Sequence, residues 1–373
     1  MRGRILGLIP WAVILAALVA FQARIEGQAA DRLPDTAQIS LSGGLSRDAY
    51  MNIEGQYNLN DIGFAAQDGY AQTPGGAGAG VNLTFAQAGY GWAAKLNMTS
   101  GAFFPDTAEN LAVIDEGLAL TLYMSTDIIG APLDINGFTY TICGVCKNEE
   151  SFAGALSRDG KMAVYLPLRS EAGKSANLND IFVVPAEGEA LGPALQNRLD
   201  ILSNAGIPVA NVRDHTETLG LLRQDGRIQR FFIFIGAAVC LGFFGIRRVI
   251  ALAKERLAIR KNRDPQAGKR LNISELLLCV ALCAAAAVFA ALARFRPYLP
   301  SGLLTPAGRI DFGYLFRLFV QDTQKLNDGA DFWARYGHRV MVWSGAACAA
   351  TLAVAARVSV KVMKMGSKIS RNI

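Results

Sequence analysis

Four stretches of the chain are almost wholly apolar and are long enough, or nearly long enough, to cross a lipid bilayer. A spanning helix needs about 20 mostly apolar residues, because it crosses roughly 30 Å of hydrocarbon at about 1.5 Å per residue. The stretches are residues 5–21, 231–246, 276–293 and 340–356. The second is short, but apolar residues continue it beyond Arg247 and Arg248, whose long side chains can reach the headgroups. The pattern therefore predicts four transmembrane helices.

Composition agrees with a membrane protein. Hydrophobic residues make up 51% of the 373-residue chain, whereas charged residues make up only 18%. About a quarter of the residues are charged in a typical soluble protein, so the deficit fits a chain that lies partly in lipid.

The basic residues are concentrated beside the apolar stretches. Arg2 and Arg4 precede the first stretch, the segment 247–273 carries nine basic residues against two acidic ones, and the segment after residue 356 carries five basic residues and no acidic one. Basic residues near spans favour the cytoplasmic side, so both termini and the segment 247–273 are predicted to be cytoplasmic. The net charge of +6 then reflects orientation and contact with anionic lipid, and no nucleic-acid binding is predicted.

The first stretch could be an uncleaved anchor or a cleaved signal peptide. A basic start is common to both, but the apolar run is longer than most signal peptides have, and the nearest small-residue cleavage pattern, at residues 27–29, lies well past it. We favour the anchor, and either alternative leaves the large domain outside.

These observations predict a membrane protein of four transmembrane helices, with a large α+β external domain inserted between the first and the second. The predicted parts are a cytoplasmic N-terminus with transmembrane helix 1 (1–24), the external domain (25–215), a stalk with transmembrane helix 2 (216–250), a basic cytoplasmic loop (251–273), transmembrane helix 3 (274–294), an external loop with an amphipathic helix (295–339), transmembrane helix 4 (340–357) and a basic cytoplasmic tail (358–373).

Local signals support the α+β prediction. Residues 111–114 read as a short apolar strand, and Asp115 can cap a helix that follows it. Asn136-Gly137 predicts a two-residue type I′ hairpin between the strands 132–135 and 138–147, because both turn positions require a positive φ. Further predicted elements are strands at 162–168 and 181–185, a helix at 190–205, and a helix from residue 214 that runs into the second span.

Cys143 and Cys146 form a CxxC pair, which in an exported domain invites a redox or metal-binding interpretation. Residues three apart on a regular strand point to opposite faces. We therefore interpret the two cysteines as small packing residues, and we predict no metal site.

Phosphate-binding and catalytic motifs are also incomplete. Residues 74–80 read PGGAGAG, and we interpret them as a surface turn because no strand precedes them and no helix follows them. A P-loop ending at residues 173–175 would need glycine at the position of Leu168. His215, expected at a helix cap, and His338 are the only two histidines, and no Ser/His/Asp set or carboxylate pair is evident. We predict that the protein is not an enzyme and has no catalytic residues and no cofactor.

A series of short motifs follows in a fixed order between residues 94 and 168. They are SGAFF at 100–104, LAVIDEGLALTLY at 111–123, DIIG at 127–130, LDINGFTYTICGVCK at 133–147 and YLP at 165–167. In order and spacing they resemble the external "periplasmic core" domain of the MacB/FtsX family of ABC-transporter-type permeases. The layout is similar too, with one span, a large external domain and three further spans that have a basic loop between the second and the third.

The resemblance implies mechanical coupling rather than chemistry in the external domain. A separate ABC ATPase would move the spans from the cytoplasm, in a homodimer or a heterodimer with a related permease, within the plasma or inner membrane. Related permeases carry an ATPase-coupling element after the second span, although this chain lacks the Gly-Ala ending of that element. The candidate coupling residues are Arg247, Arg248, Lys254, Glu255 and Arg256.

A second function stays open: a non-transporting membrane scaffold or sensor, whose external domain binds an envelope partner and whose basic loop anchors it to lipid. Residues 311–325 are aromatic and apolar with one polar side, and they are predicted to form a helix that lies on the outer membrane surface, covers the base of the external domain or packs against a partner.

Overall fold

A computed structural model of the chain describes residues 9–57, 59–147, 154, 161–262, 273–292, 313 and 332–369. They fall into two units. The helical unit contains the described parts of Met1–Gly27, Gly220–Ser301 and Met341–Ile373, and the sheet domain contains those of Gln28–Leu219 and Gly302–Val340.

The sheet domain is built on one ten-stranded sheet. The strands are β1 (Ala37–Ser46), β2 (Ile62–Gln72), β3 (Gly78–Ala86), β4 (Met98–Gly101), β5 (Leu111–Asp115), β6 (Pro132–Ile135), β7 (Phe138–Cys146), β8 (Met162–Pro167), β9 (Asn177–Val183) and β10 (Val209–Asp214). Their order is β10-β1-β9-β2-β3-β8-β5-β7-β4, and β6 pairs with both β2 and β7. Most pairs are antiparallel, but β3 with β8 and β5 with β7 are parallel.

In the described part of the domain, four short helices connect or cover these strands. They are α2 (Arg47–Tyr57), α3 (Tyr90–Ala93), α4 (Glu116–Tyr123) and α5 (Leu191–Asn204). Leu118 and Leu122 of α4, and Ala194 and Leu202 of α5, enter the main core beside alternate residues of the strands. A second, mainly aromatic cluster lies elsewhere in the domain and includes Phe64, Tyr90, Phe182 and Trp333.

The local signals in the middle of the domain are confirmed. Leu111–Asp115 is a strand, and the carboxylate of Asp115 accepts a hydrogen bond from the backbone N–H of Leu118, which caps α4. Asn136 and Gly137 have φ values of +50° and +90° and close the β6–β7 hairpin. The predicted strand at 162–168 and helix at 190–205 are present within a residue of the expected bounds, whereas the strand predicted at 181–185 runs from Asn177 to Val183.

Residues 37–86 contain three strands and a helix that the local signals did not predict. β2 and β3 form a long antiparallel hairpin from Phe64↔Ala86 to Gln72↔Gly78, and the predicted turn occupies its tip. At the tip the N–H of Gly76 donates to the carbonyl of Thr73. The glycines serve packing here, because a Cβ on Gly69 would lie 2.3 Å from the Leu83 side chain.

Four long helices make up the described part of the helical unit, and three of them also extend into the sequence ranges of the sheet domain. They are α1 (Ile9–Arg32), α6 (His215–Asn262), α7 (Ile273–Leu292) and α8 (Phe332–Ile369). Among the described residues, three helical segments are long and apolar enough to cross a membrane: Pro10–Arg32, His215–Lys254 and Arg335–Lys364. The third predicted span coincides with α7, whose apolar part in the described chain, Val280–Leu292, is shorter. The amphipathic helix predicted at 311–325 lies outside the described residues apart from Gly313.

Candidate functional site

The long helix α6 begins directly where the edge strand β10 ends. The carboxylate of Asp214 accepts hydrogen bonds from the N–H groups of Thr216, at 2.8 Å, and Glu217, at 3.1 Å, and from the hydroxyl of Thr216, at 2.6 Å. A side-chain cap of this kind satisfies N–H groups that a helix start otherwise leaves without partners. Asp214 therefore fixes the position at which α6 begins, and His215, which was expected at the cap, is the residue that follows it.

His215 is fully buried and joins the start of α6 to the interior of the sheet. Its Nε2 lies 3.2 Å from the amide oxygen of Gln38 on β1, and since that oxygen only accepts, the contact requires the Nε2–H tautomer. The amide nitrogen of Gln38 donates to Asp180 on β9 at 2.8 Å, and the hydroxyl of Ser40 donates to the same carboxylate oxygen at 2.6 Å. The first turn of α6 is thus tied through side chains to two strands.

Within the helical unit, α6 makes a second set of polar contacts. The hydroxyl of Ser344 on α8 donates to the carboxylate of Asp225 at 2.6 Å, and the side-chain amide of Gln22 on α1 donates to Ser344 at 2.7 Å. Gln22 and Ser344 are buried. Hydrogen bonds between apolar helices hold them in one register, so Asp225 connects three helices through a single hydroxyl.

One turn further along α6, Gln229 repeats this arrangement. Its side-chain amide donates to the hydroxyl of Thr351 at 3.0 Å, and Thr351 donates to the carbonyl of Ala347 at 2.8 Å. Residues four apart lie on one face of a helix, which is why Asp225 and Gln229 meet the same neighbour. A Cβ on Gly226 would lie 2.8 Å from the carboxylate of Glu26, so α1 approaches α6 closely at this glycine.

The predicted coupling residues all lie on α6 rather than in a loop, because this helix continues to Asn262. The guanidinium of Arg247 lies 5.1 Å from the ring centre of Phe243, a cation–π contact one turn away. Lys254 is exposed. Arg248, Glu255 and Arg256 lie on the same helix. The structure therefore places these five residues on the same helix as Asp225.

The structure corrects the prediction about the faces on which the two cysteines lie. Cys143 and Cys146 were expected on opposite faces of a regular strand, but the pairing of β5 with β7 shifts between Ala112↔Ile142 and Val113↔Gly144, which makes Cys143 the extra residue of a bulge. Both cysteines consequently contact the same apolar cluster, with Phe104 and Val113. The Cys143 thiol donates to the carbonyl of Ala112 at 3.4 Å, and burial raises its pKa to about 11.

We expect Cys143 to react slowly with alkylating reagents, because the thiolate is the nucleophile and a raised pKa leaves little of it near pH 8. Its iodoacetamide alkylation at pH 8 should be at least about 10-fold slower in the folded chain than in the urea-unfolded chain. Mass spectrometry of the labelled peptides measures this ratio. Equal rates in the two states would contradict a packing role.

The other candidate motifs take no part in a site. Residues 74–80 form the hairpin tip and the start of β3, and residues 172–175 form a single 3₁₀ turn. Over the described ranges, no group of three His, Cys, Asp or Glu side chains is arranged to hold a metal ion.

Sequence reasoning missed the polar contacts of α6. A signal was present in part, since Asp225 and Gln229 are polar residues four apart at the start of an apolar segment. Their partners Gln22, Ser344 and Thr351 are distant in sequence, so no spacing rule connects them.

Comparison with known proteins gives a family and several similar domains. The profile of the MacB-like periplasmic core domain family matches residues 3–200, and no curated protein matches the chain. The extracellular domain of the noncanonic ABC-type transporter YknZ from Gram-positive bacteria is similar at 16% identity, with a TM-score of 0.36, over 47% of this chain and 99% of that one. The periplasmic region of MacB from Actinobacillus actinomycetemcomitans is similar at 13% identity, with a TM-score of 0.38, over 47% of this chain and 86% of that one. A domain of a putative permease from Porphyromonas gingivalis is similar at 12% identity, with a TM-score of 0.33, over 49% of this chain and 87% of that one.

The family match covers more than half of the chain, and it includes the strands, the capped helix and the hairpin that carried the resemblance in the sequence. This chain belongs to the MacB-like periplasmic core domain family of ABC-transporter-type permeases.

Proposed function

We propose that the chain is a permease-like membrane subunit of a MacB/FtsX-type ABC system, in which a cytoplasmic ATPase on a separate chain drives a change of shape in the sheet domain. It would act in the plasma or inner membrane as a homodimer or with a related permease. The four apolar stretches would span the bilayer, with the sheet domain outside and both termini inside.

The observation that carries this proposal is the continuity of α6. The helix is 48 residues long and is capped by Asp214 at the sheet. It carries Asp225 and Gln229, which bond to α8, and the basic residues beyond Arg247. A hydrogen-bonded helix is stiff along its axis, so a displacement at the basic end is transmitted toward His215.

Charge supports the proposed orientation. The basic residues lie beyond the apolar part of α6 and at the end of α8, as the positive-inside rule expects for cytoplasmic ends. An ATPase that docks from the cytoplasm would then meet Lys254 and Arg256.

Reversing two charges on this segment tests the proposal. The double variant Lys254→Glu/Arg256→Glu should lose at least about 10-fold of the ATP-hydrolysing activity that copurifies with the tagged full-length chain from its native membranes, because like charges across a docked surface cost several kcal/mol. The matched control is Lys361→Glu/Lys364→Glu, which makes the same charge change near the end of α8 and should keep the activity.

The same experiment separates the two functions considered for this chain. If the wild-type chain brings down no ATPase, or if the α6 variant keeps all of it, coupling through this segment is wrong. A scaffold or sensor would retain an external partner in both double variants.

A further inference from the structure

The sheet domain contains a cleft of about 500 Å³ between β2, β3 and β8, the α3 region and the first turn of α8. This volume lies within the usual range for small-molecule sites, about 300–1,000 Å³. All of its lining residues belong to the sheet domain.

The pleat of the sheet determines which side chains face the cleft. Ala66 and Asp68 of β2 lie opposite Thr84 and Asn82 of β3, and these four residues line it, whereas Ala65 of β2 and Leu83 of β3 contribute to the main core. Successive residues of a strand point to opposite faces, so one face of these strands builds the core and the other the floor of the cleft.

One end of the cleft is aromatic. The rings of Phe64 and Tyr90 are 5.0 Å apart and those of Tyr90 and Tyr165 are 5.8 Å apart, measured between centroids. The indole N–H of Trp333 donates to the Tyr90 hydroxyl at 3.3 Å, which fixes both rings. Phe64, Tyr90 and Trp333 are buried, so the half-buried rings of Tyr165 and Phe332 offer the surface against which an apolar ring or alkyl chain would pack with little loss of side-chain entropy.

The lining is charged two strand positions from Tyr165, where Asp68 of β2 and Ala163 of β8 flank Asn82 of β3, and more of the charged lining residues are positive than negative. The ammonium of Lys161 lies 2.7 Å from the carboxylate of Asp68, and Asp115 accepts hydrogen bonds from the N–H groups of Leu118 and Ala163. The remaining charged lining residues are all cations: Arg32, Lys147 and Arg335. Four cations and two carboxylates therefore line the cleft, and this net positive charge favours an anion.

We propose that this cleft binds an anionic amphiphile, with its apolar body against the aromatic end and its carboxylate, sulfonate or phosphate group toward the basic residues. The proposal goes beyond the permease function and does not depend on an ATPase.

Photolabelling of the full-length chain in phosphatidylcholine nanodiscs tests this site. The probe is dodecanoate with a diazirine on its alkyl chain, and mass spectrometry maps the labelled peptides. We expect label on the peptides that contain Phe64–Asp68, Tyr90–Leu96 and Phe332–Arg335, competed by unlabelled dodecanoate. Phosphatidylglycerol placed in the nanodisc should compete as well if the occupant is a membrane lipid, and should fail to compete if the occupant enters from water.

Two pairs of variants make the test specific. Ala66→Trp fills the cleft from an exposed position and should reduce labelling of these peptides at least about 10-fold, whereas Leu120→Trp adds an aromatic ring on α4, outside the cleft, and should leave labelling unchanged. Lys147→Gln/Lys161→Gln should remove the preference for dodecanoate over a diazirine-bearing dodecylamine, and Lys174→Gln, outside the cleft, should keep it.

Three results would overturn the proposal: label confined to the membrane helices, equal labelling in Ala66→Trp, or equal labelling of the wild-type chain by the amine probe.

Discussion

The Asp61→Ala variant should lower the free energy of unfolding of the sheet domain by about 3–5 kcal/mol. Asp61 precedes β2, and its carboxylate accepts hydrogen bonds from Arg198 of α5 at 3.0 Å and from the N–H of Val184 at 3.1 Å. The side chains of Asp61 and Arg198 are 3% and 8% exposed. Removing the carboxylate leaves a guanidinium charge buried without its counterion, and this accounts for the size of the effect.

Hydrogen exchange of the full-length chain measures this loss. The amides of α5 (Leu191–Asn204) should exchange at least about 100-fold faster in Asp61→Ala, since each 1.4 kcal/mol is a factor of ten. The matched control is Asp48→Ala, which removes an ion pair of similar length, 3.0 Å to Arg47, at an 82% exposed side chain and should cost no more than about 1 kcal/mol.

A double replacement separates the buried charge from the packing. Asp61→Leu/Arg198→Met should recover much of the loss, because an apolar pair leaves no buried charge uncompensated. If Asp61→Ala and Asp48→Ala exchange at the same rate, the buried pair contributes little to stability.

Under the proposed coupling, the Arg223→Pro variant should abolish any nucleotide-dependent change in the sheet domain while leaving ATPase association intact. Arg223 lies on an exposed position of α6, so its side chain contributes little packing. Proline removes the hydrogen bond to the carbonyl four residues earlier, at Leu219, and clashes with it, at a cost of about 3 kcal/mol or more. Leu219 is the last residue of the sheet domain on this helix, so the kink falls where the domain ends.

The measurement compares hydrogen exchange of β2 and β3 with and without ATP, in complexes that contain the copurified ATPase. Arg223→Ala is the control, because it removes the same side chain but keeps the helix. A nucleotide-dependent change that survives in Arg223→Pro would show that α6 does not carry the signal, whereas its loss in both variants would point to the arginine side chain.

Local chemistry made part of the fold predictable. The Asn136-Gly137 turn and the Asp115 cap depend on residues within one hairpin and one helix turn, and both are present as expected. β2 was not predicted, and residues 74–80 were expected to have no strand before them, although β2 ends at Gln72, directly before that turn. In the folded domain Gly63 is needed for packing, since a Cβ there would lie 2.3 Å from Leu178 and 2.8 Å from Tyr50.

The candidate site was less predictable, because its contacts join residues that are distant in sequence. The bulge at Cys143 depends on how β5 pairs with β7, and no residue type within β7 predicts it. The partners of His215 lie on β1 and those of Asp225 on α1 and α8, so only the tertiary structure brings them together. The helical start at residue 214 could be predicted because its cap is local.

The pairing of β1 with β10 has a mechanical consequence. Ala37 lies opposite Asp214, and the carbonyl of Thr36 accepts from the N–H of His215 at 3.3 Å, so the connections to α1 and α6 lie at adjacent ends of two antiparallel strands. A force that separates these ends breaks the hydrogen bonds between β1 and β10 one after another, instead of loading all of them at once. β10 is the edge strand, whereas β1 is held on its other side by β9. Under load, β10 is therefore the strand that peels first, and the rest of the sheet is spared.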